Sequence, residues 1–229
     1  MLKKVVLISG GAAVGKTAVL KNIIPLLQSK DLALSVCKID CVATRDGLVY
    51  QNMNIPHVVG ISGDICPGHF LVSNLPELYH WADEKQSDVL LIETAGLCHR
   101  CSPATEQMAA GCVLDCTSSC HAPAQLGPML TYADFVVLTK IDMVSQAERE
   151  IILWKIKELN PTAKLFTVDG LTGYGAEGLA DWLSCFSKET NFDDDVLRHS
   201  MPSGVCSYCV GEKRVGSAYQ QGVVGKIEF

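Results

Sequence analysis

The sequence predicts an α/β protein with a mostly parallel sheet covered by helices on both faces. Apolar runs of strand length recur through the first 186 residues, helical patterns lie between or after them, and the opening unit reads β-α-β around a glycine-rich loop. Taken in order, Val5 to Ser9 reads as a buried strand, followed by a loop, a helix through about Leu27, and a second strand over Leu32 to Asp40. Further strand-length runs fall at His57 to Ile61, Asp88 to Glu93, Gly111 to Asp115, Phe135 to Thr139 and Lys164 to Val168. Helical spacing appears over Leu71 to Glu84, Gln146 to Leu159 and Ala176 to Phe186. From about Ser187 the pattern stops. Residues 1–186 form the expected domain, and 187–229, polar, glycine-rich and with its own CxxC, the expected tail or small appendage. There is no internal repeat and no low-complexity segment.

The loop after the first strand is "GGAAVGKT", Gly10 to Thr17, which fits GxxxxGK[ST] between a strand and a helix. This spacing lets successive backbone N–H groups curl round phosphates while the helix N-terminus adds its positive dipole. Gly10, Gly11, Ala12, Ala13, Val14, Gly15, Lys16, Thr17 and Ala18 are therefore the candidate phosphate cradle. Lys16 is placed to reach the terminal phosphates and Thr17 to ligate Mg²⁺. The fold is thus a P-loop nucleoside triphosphatase.

"VLTKID" ends the strand over Phe135 to Thr139. A carboxylate at Asp142 can accept from both the ring N–H and the exocyclic amine of guanine, and adenine lacks that amine. Lys140 and Asp142 are candidate base contacts, favouring GTP with ATP kept open. Thr139 stands where asparagine is commoner.

The chain is 48% hydrophobic and 19% charged, with a mean hydropathy of +0.21 and a formal net charge of -6. That balance excludes a largely disordered chain, and without a Lys/Arg cluster it argues against nucleic acid and anionic membrane as partners. The apolar run behind Lys3 and Lys4 is too short for a signal peptide, and no run reaches membrane-spanning length. A cytoplasmic location is expected, where the eleven cysteines are not a disulfide framework.

With "LIETAGL", "VLTKIDMV", "LFTVDGLTGYGAEGLADWL" and "VVGISGDICPGHF", the chain resembles the SIMIBI-class metallochaperone GTPases, from Lys3 to about Leu183. That group holds the urease and hydrogenase nickel-insertion proteins and the cobalamin-synthesis W type. The resemblance implies that Asp40 and Glu93 are switch carboxylates serving Mg²⁺ and the attacking water, and that Gly96 senses the γ-phosphate. It also implies nickel as a metal, a nucleotide-dependent homodimer, and a client metalloenzyme or its maturation factor as partner. The family's Cys-Pro-His element corresponds here to "CPGH", Cys66 to His69, with one residue inserted. A strand ending in an acid, as at Glu93, is independently where a Mg²⁺-proximal carboxylate sits in a P-loop fold.

The cysteines cluster by position. Cys66, Cys98, Cys101, Cys116 and Cys120 follow predicted strand ends, the rim where open α/β sheets bind ligands, and Cys206 with Cys209 makes a second CxxC. Two CxxC pairs with further thiols point to soft thiolate coordination, of an iron–sulfur cluster or zinc, while a dithiol redox pair stays open. His99 and His121 are auxiliary candidates. Cys37, Cys112 and Cys185 sit within apolar patterns and read as small core residues.

Three functions compete at this level. The first is a GTP-hydrolysing metallochaperone or metallocentre-assembly protein, with Lys16, Asp40 and Glu93 as its catalytic residues. The second is an ATP-dependent iron–sulfur electron carrier activating a partner enzyme, and the third a nucleotide-regulated binding module with structural zinc.

Overall fold

The computed structural model describes residues 2–43, 46–97, 99–188, 192–200, 211–219 and 224–229. The strands are β1 (Lys4–Gly10), β2 (Leu34–Asp40), β3 (His57–Ile61), β4 (Val89–Glu93), β5 (Ala109–Asp115), β6 (Phe135–Thr139) and β7 (Lys164–Thr167). They form one seven-stranded sheet in the order β3-β2-β4-β1-β5-β6-β7, and every pairing is parallel. Parallel strands need crossovers, and these put helices on both faces.

Alternation along β1 shows the two faces. Val6 and Ile8 pack with α1 (Lys16–Gln28) and α7 (Ala176–Cys185), while Val5 and Leu7 pack with α3 (Pro67–Glu84). A third cluster sits where β5 and β6 meet the short turns α4 (Ala122–Gln125) and α5 (Pro128–Thr131) and the helix α6 (Gln146–Leu159). Because both faces are covered, the strands read as unbroken apolar runs.

The expected strands and longer helices match the observed ones within a few residues. Helix α6 has the expected bounds, fixed by a capping box in which Ser145 accepts from the Glu148 N–H and the Glu148 carboxylate accepts from the Ser145 N–H. Helix α3 starts earlier than its apolar spacing suggested, since Pro67 occupies its first turn, where a missing N–H costs nothing. The sequence reading missed α2 (Gly47–Asn52), α4 and α5, which are too short to show a 3.6-residue period.

The described part of the tail lies as a strap across α3 and adds Leu197, Val215 and Ile227 to that face's core. Pro76 inside α3 has no N–H to offer the Val72 carbonyl, and the Gly216 N–H fills that place at 2.9 Å. The Asn74 amide donates to the Gly225 carbonyl and its oxygen accepts from the Ile227 N–H. Arg198, half-buried, binds the Asp134 carboxylate at 2.7 Å and the carbonyls of Thr105, Met108 and Tyr132. No helix among the described residues is long and apolar enough to cross a membrane.

Candidate functional site

All strands run the same way, so their carboxyl ends form one rim, and the chain changes direction across the sheet at β1, between β4 and β5. The loop from Gly10 leaves β1 at this point. Gly10 has φ 146°, and a Cβ there would stand 2.4 Å from the Val113 carbonyl oxygen; no other residue fits.

A cleft of about 450 Å³ opens over this loop, lined by residues 12–18, by Lys38, Asp40, Asp46 and Glu93, and by residues 94–96. Lys16 is 6% exposed and donates to the Gly11 carbonyl at 2.6 Å. Burial pushes its ammonium down to about 8. Opposite, the Thr17 hydroxyl donates to Glu93 Oε1 at 2.6 Å and lies 3.3 Å from Asp46 Oδ2. Lys38 Nζ bridges the same two oxygens, at 2.6 Å and 2.9 Å. The Tyr50 hydroxyl donates to Glu93 Oε2 at 2.5 Å. Burial disfavours the charge on Lys38, but Glu93 and Asp46 outweigh it and hold the ammonium above its ordinary range. Burial, reinforced by Glu93, keeps the Tyr50 phenol protonated.

These are hard oxygen donors beside a phosphate-shaped loop, which suits Mg²⁺ held by one hydroxyl, one or two carboxylates, water and nucleotide phosphates. Gly96 closes the cleft: a Cβ there would stand 2.8 Å from the Ala12 nitrogen, so only glycine lets this segment approach the loop. Asp40 lines the cleft, with one oxygen accepting from the Cys41 N–H at 2.8 Å.

A second cleft of about 590 Å³ is lined by Ile141, Asp142, Arg149, Thr167, Asp169, Thr172 and Tyr174. Asp142 sits in a single 3-10 turn after β6 and presents its side chain at the surface. Lys140 turns into the left-handed region at φ 53°, and its ammonium reaches Asp115 Oδ2 at the end of β5, 2.5 Å away. Burial alone would raise the Asp115 carboxyl; the Lys140 and Thr117 donors outweigh it and hold the group below the usual range. Thr139 donates its hydroxyl to the Val14 carbonyl at 2.7 Å, tying β6 to the glycine loop. Asn22 of α1 donates to the Gly170 carbonyl and so holds the loop after β7.

The thiols are dispersed. Cys66 is the N-cap of α3, and a Cβ on the inserted Gly68 would lie 3.9 Å from its sulfur and 3.8 Å from Leu97 Cδ2. His69, three positions on, is buried in the core, where burial pushes the imidazole down to about 4. Cys101 is buried in the α3-side cluster, whereas Cys116 is buried and Cys120 half-buried in the cluster around α6. Burial raises Cys116 to about 11 and Cys112 to about 12. Cys37 and Cys112 are core residues, as their apolar surroundings suggested, but Cys185 is exposed at the end of α7. His99 Nδ1 contacts the Gln125 carbonyl, and His121 Nδ1 lies 3.2 Å from Lys155 Nζ, both at the surface. Cys98, Cys206 and Cys209 lie outside the described residues. Among the described residues, no three or more His, Cys, Asp or Glu side chains are arranged to hold a metal ion.

Sequence reasoning missed Lys38 and Asp46 in the first cleft, Tyr50 buried behind Glu93, and Arg149 and Tyr174 in the second cleft. One signal was available: Lys38 interrupts "LSVCKID", a strand otherwise buried throughout up to its last residue, and a lysine in such a strand must find a counter-charge.

Comparison with known proteins matches the nucleotide-binding domain described as CobW/HypB/UreG to residues 4–167. The uncharacterized protein MJ0120 of Methanocaldococcus jannaschii is 42% identical over 225 residues, covering 98% of this chain and 96% of its own length. Urease accessory protein UreG of Yersinia pestis is 26% identical over 212 residues, covering 86% of this chain and 92% of its own. Among solved structures, the hydrogenase maturation factor HypB from Archaeoglobus fulgidus superposes with a TM-score of 0.65 at 22% identity, covering 80% of this chain and 89% of that one. HypB from Helicobacter pylori, solved in complex with nickel, gives 0.65 at 18% identity, covering 83% and 92%. The electron-carrier reading gains no support from these relatives. With more than half its length matched by the family model and the P-loop at its centre, the chain belongs to the CobW/HypB/UreG family of nucleotide-binding domains.

Proposed function

We propose that this protein is a GTP-hydrolysing metallochaperone that couples its nucleotide state to a thiolate-bound metal and delivers that metal, or assembles a centre, in a client metalloenzyme or with its maturation factor. One observation carries the reading. The segment from Glu93 to Gly96, which walls the phosphate cleft, runs directly into Leu97, and Leu97 lies beside the Cys66 end of α3.

In this reading Lys16 neutralises the terminal phosphates and the backbone of residues 12–18 cradles them. Thr17, Asp40 and Glu93 hold Mg²⁺, directly or through water, and Asp40 with Glu93 orients the attacking water. Mg²⁺ supplies positive charge to the phosphoryl oxygens as charge moves onto the leaving group. Gly96 approaches the loop closely enough for its N–H to meet a γ-phosphate, so hydrolysis withdraws a partner from the segment that leads to the thiols. Asp142 reads guanine, Lys140 flanks the base, and Cys66, Cys98, Cys101, Cys116, Cys120, Cys206 and Cys209 are the candidate thiolates. Nickel is the metal present in one solved relative, and it is cargo here rather than a resident group. The homodimer expected from the family would bring two such rims together.

The test is a pair of titrations on anaerobically purified protein. GTP should bind at least about tenfold more tightly than ATP, and Asp142→Asn should erase that preference. Ni²⁺ or Zn²⁺ should change GTP affinity by the same factor that GTP changes metal affinity, about 5- to 150-fold. Equal affinity for the two nucleotides removes the guanine assignment, and GTP affinity indifferent to metal removes the coupling.

A further inference from the structure

Lys38 projects from β2, one strand in from the edge of the sheet, into a wall of carboxylates, and the other residues of that strand up to Asp40 are all buried. Its Nζ contacts Glu93 Oε1 and Asp46 Oδ2, the two oxygens that the Thr17 hydroxyl also faces. A Mg²⁺ ligated by Thr17 would have to present itself or its waters to this same pair of oxygens. Lys38 is 5% exposed and Glu93 is 1% exposed, so solvent screens their attraction little.

We infer that Lys38 is an internal stand-in for Mg²⁺: it occupies the carboxylates of the metal site in the nucleotide-free protein and makes Mg²⁺ entry conditional on nucleotide. The inference rests on the cleft being a Mg²⁺–nucleotide site and adds to that reading a residue and a rule of binding order.

The charge balance supports it. Three carboxylates, Asp40, Asp46 and Glu93, face two ammonium groups, Lys16 and Lys38, leaving a single net negative charge in the cleft. That is a poor match for a divalent cation that must shed tightly held water. A nucleoside triphosphate changes both conditions at once. Its phosphates give Lys38 new partners in the cleft it already lines, and they supply oxygen ligands that the protein lacks. Replacing Lys38 by an uncharged side chain of similar length leaves two net negative charges, a match for Mg²⁺ with no nucleotide present.

The experiment uses nucleotide-free protein and Mg²⁺ alone, followed by thermal unfolding at matched ionic strength, with Mn²⁺ binding read by electron paramagnetic resonance. Lys38→Met should gain a site, seen as a melting temperature raised by about 3 to 6 °C at ten times the Mg²⁺ dissociation constant and as one bound Mn²⁺ per chain. The unmodified protein and Lys38→Arg should show neither. Equal response in the unmodified protein and Lys38→Met overturns the inference. If Lys38→Met does not fold, the unmodified protein still decides: saturable Mn²⁺ binding without nucleotide overturns it, and its appearance only with nucleotide supports it. Since no nucleotide enters the main assay, a failed guanine preference would sink the proposed function without altering this result.

Discussion

Raising the pH from 7 to 9 should weaken nucleotide binding about tenfold through Lys16. The ammonium is 6% exposed and is held by loop carbonyls, and burial lowers it from 10.5 to about 8 in the nucleotide-free protein. Between 8 and 10.5 the unfolded chain binds more protons at this residue than the folded one, so Lys16 makes the nucleotide-free protein more stable as pH rises through that window. Phosphate binding has the opposite slope, because it needs the ammonium. At pH 9 about one Lys16 in eleven is charged, against about ten in eleven at pH 7, so binding loses about 1.4 kcal/mol. Calorimetry in buffers of different ionisation enthalpy should record uptake of about 0.1 proton at pH 7, about 0.5 at pH 8 and about 0.9 at pH 9. Lys16→Arg, always charged, serves as the control and carries any titration of the base itself. Proton uptake that stays near zero at pH 9, or that is equal in Lys16→Arg, would refute the assignment of this lysine to the phosphates.

Thr139→Ala removes the donor to the Val14 carbonyl and should cost about 1 to 2 kcal/mol, read as a five- to thirtyfold loss in GTP affinity that Thr139→Ser restores; an unchanged affinity would show that this bond does not shape the loop. Arg198→Met leaves Asp134 and three carbonyls without their common donor and should cost about 3 kcal/mol, lowering the melting temperature by about 6 to 12 °C. A shift below about 2 °C would mean that the strap adds little to the stability of the domain.

The glycine loop, the apolar runs of the strands and the helical span of α6 could be read directly because each is a local pattern. Spacing within eight residues defines Gly10 to Thr17, and a run bounded by turns defines each strand. Helix α2 escaped because six residues do not complete two turns, and what matters about it is tertiary: it buries Tyr50 against Glu93, 43 positions away. The strap escaped because Leu197, Val215 and Ile227 are single apolar residues without period, given meaning only by the gap at Pro76 and the amide of Asn74.

For the site, the sequence by itself determined which residues form the loop that lines the first cleft, since a motif of backbone N–H groups with one lysine and one hydroxyl is contiguous in the chain. Only the tertiary structure decided how the charges pair. Lys38 and Glu93 lie 55 positions apart and meet because β2 and β4 are neighbours in register, with Lys38 opposite Glu93. The thiols that look clustered in sequence are parted by the same rule. Cys101 and Cys116 flank β5, yet one packs under α3 and the other under α6, because each side chain goes to the apolar surface its own turn of backbone happens to face.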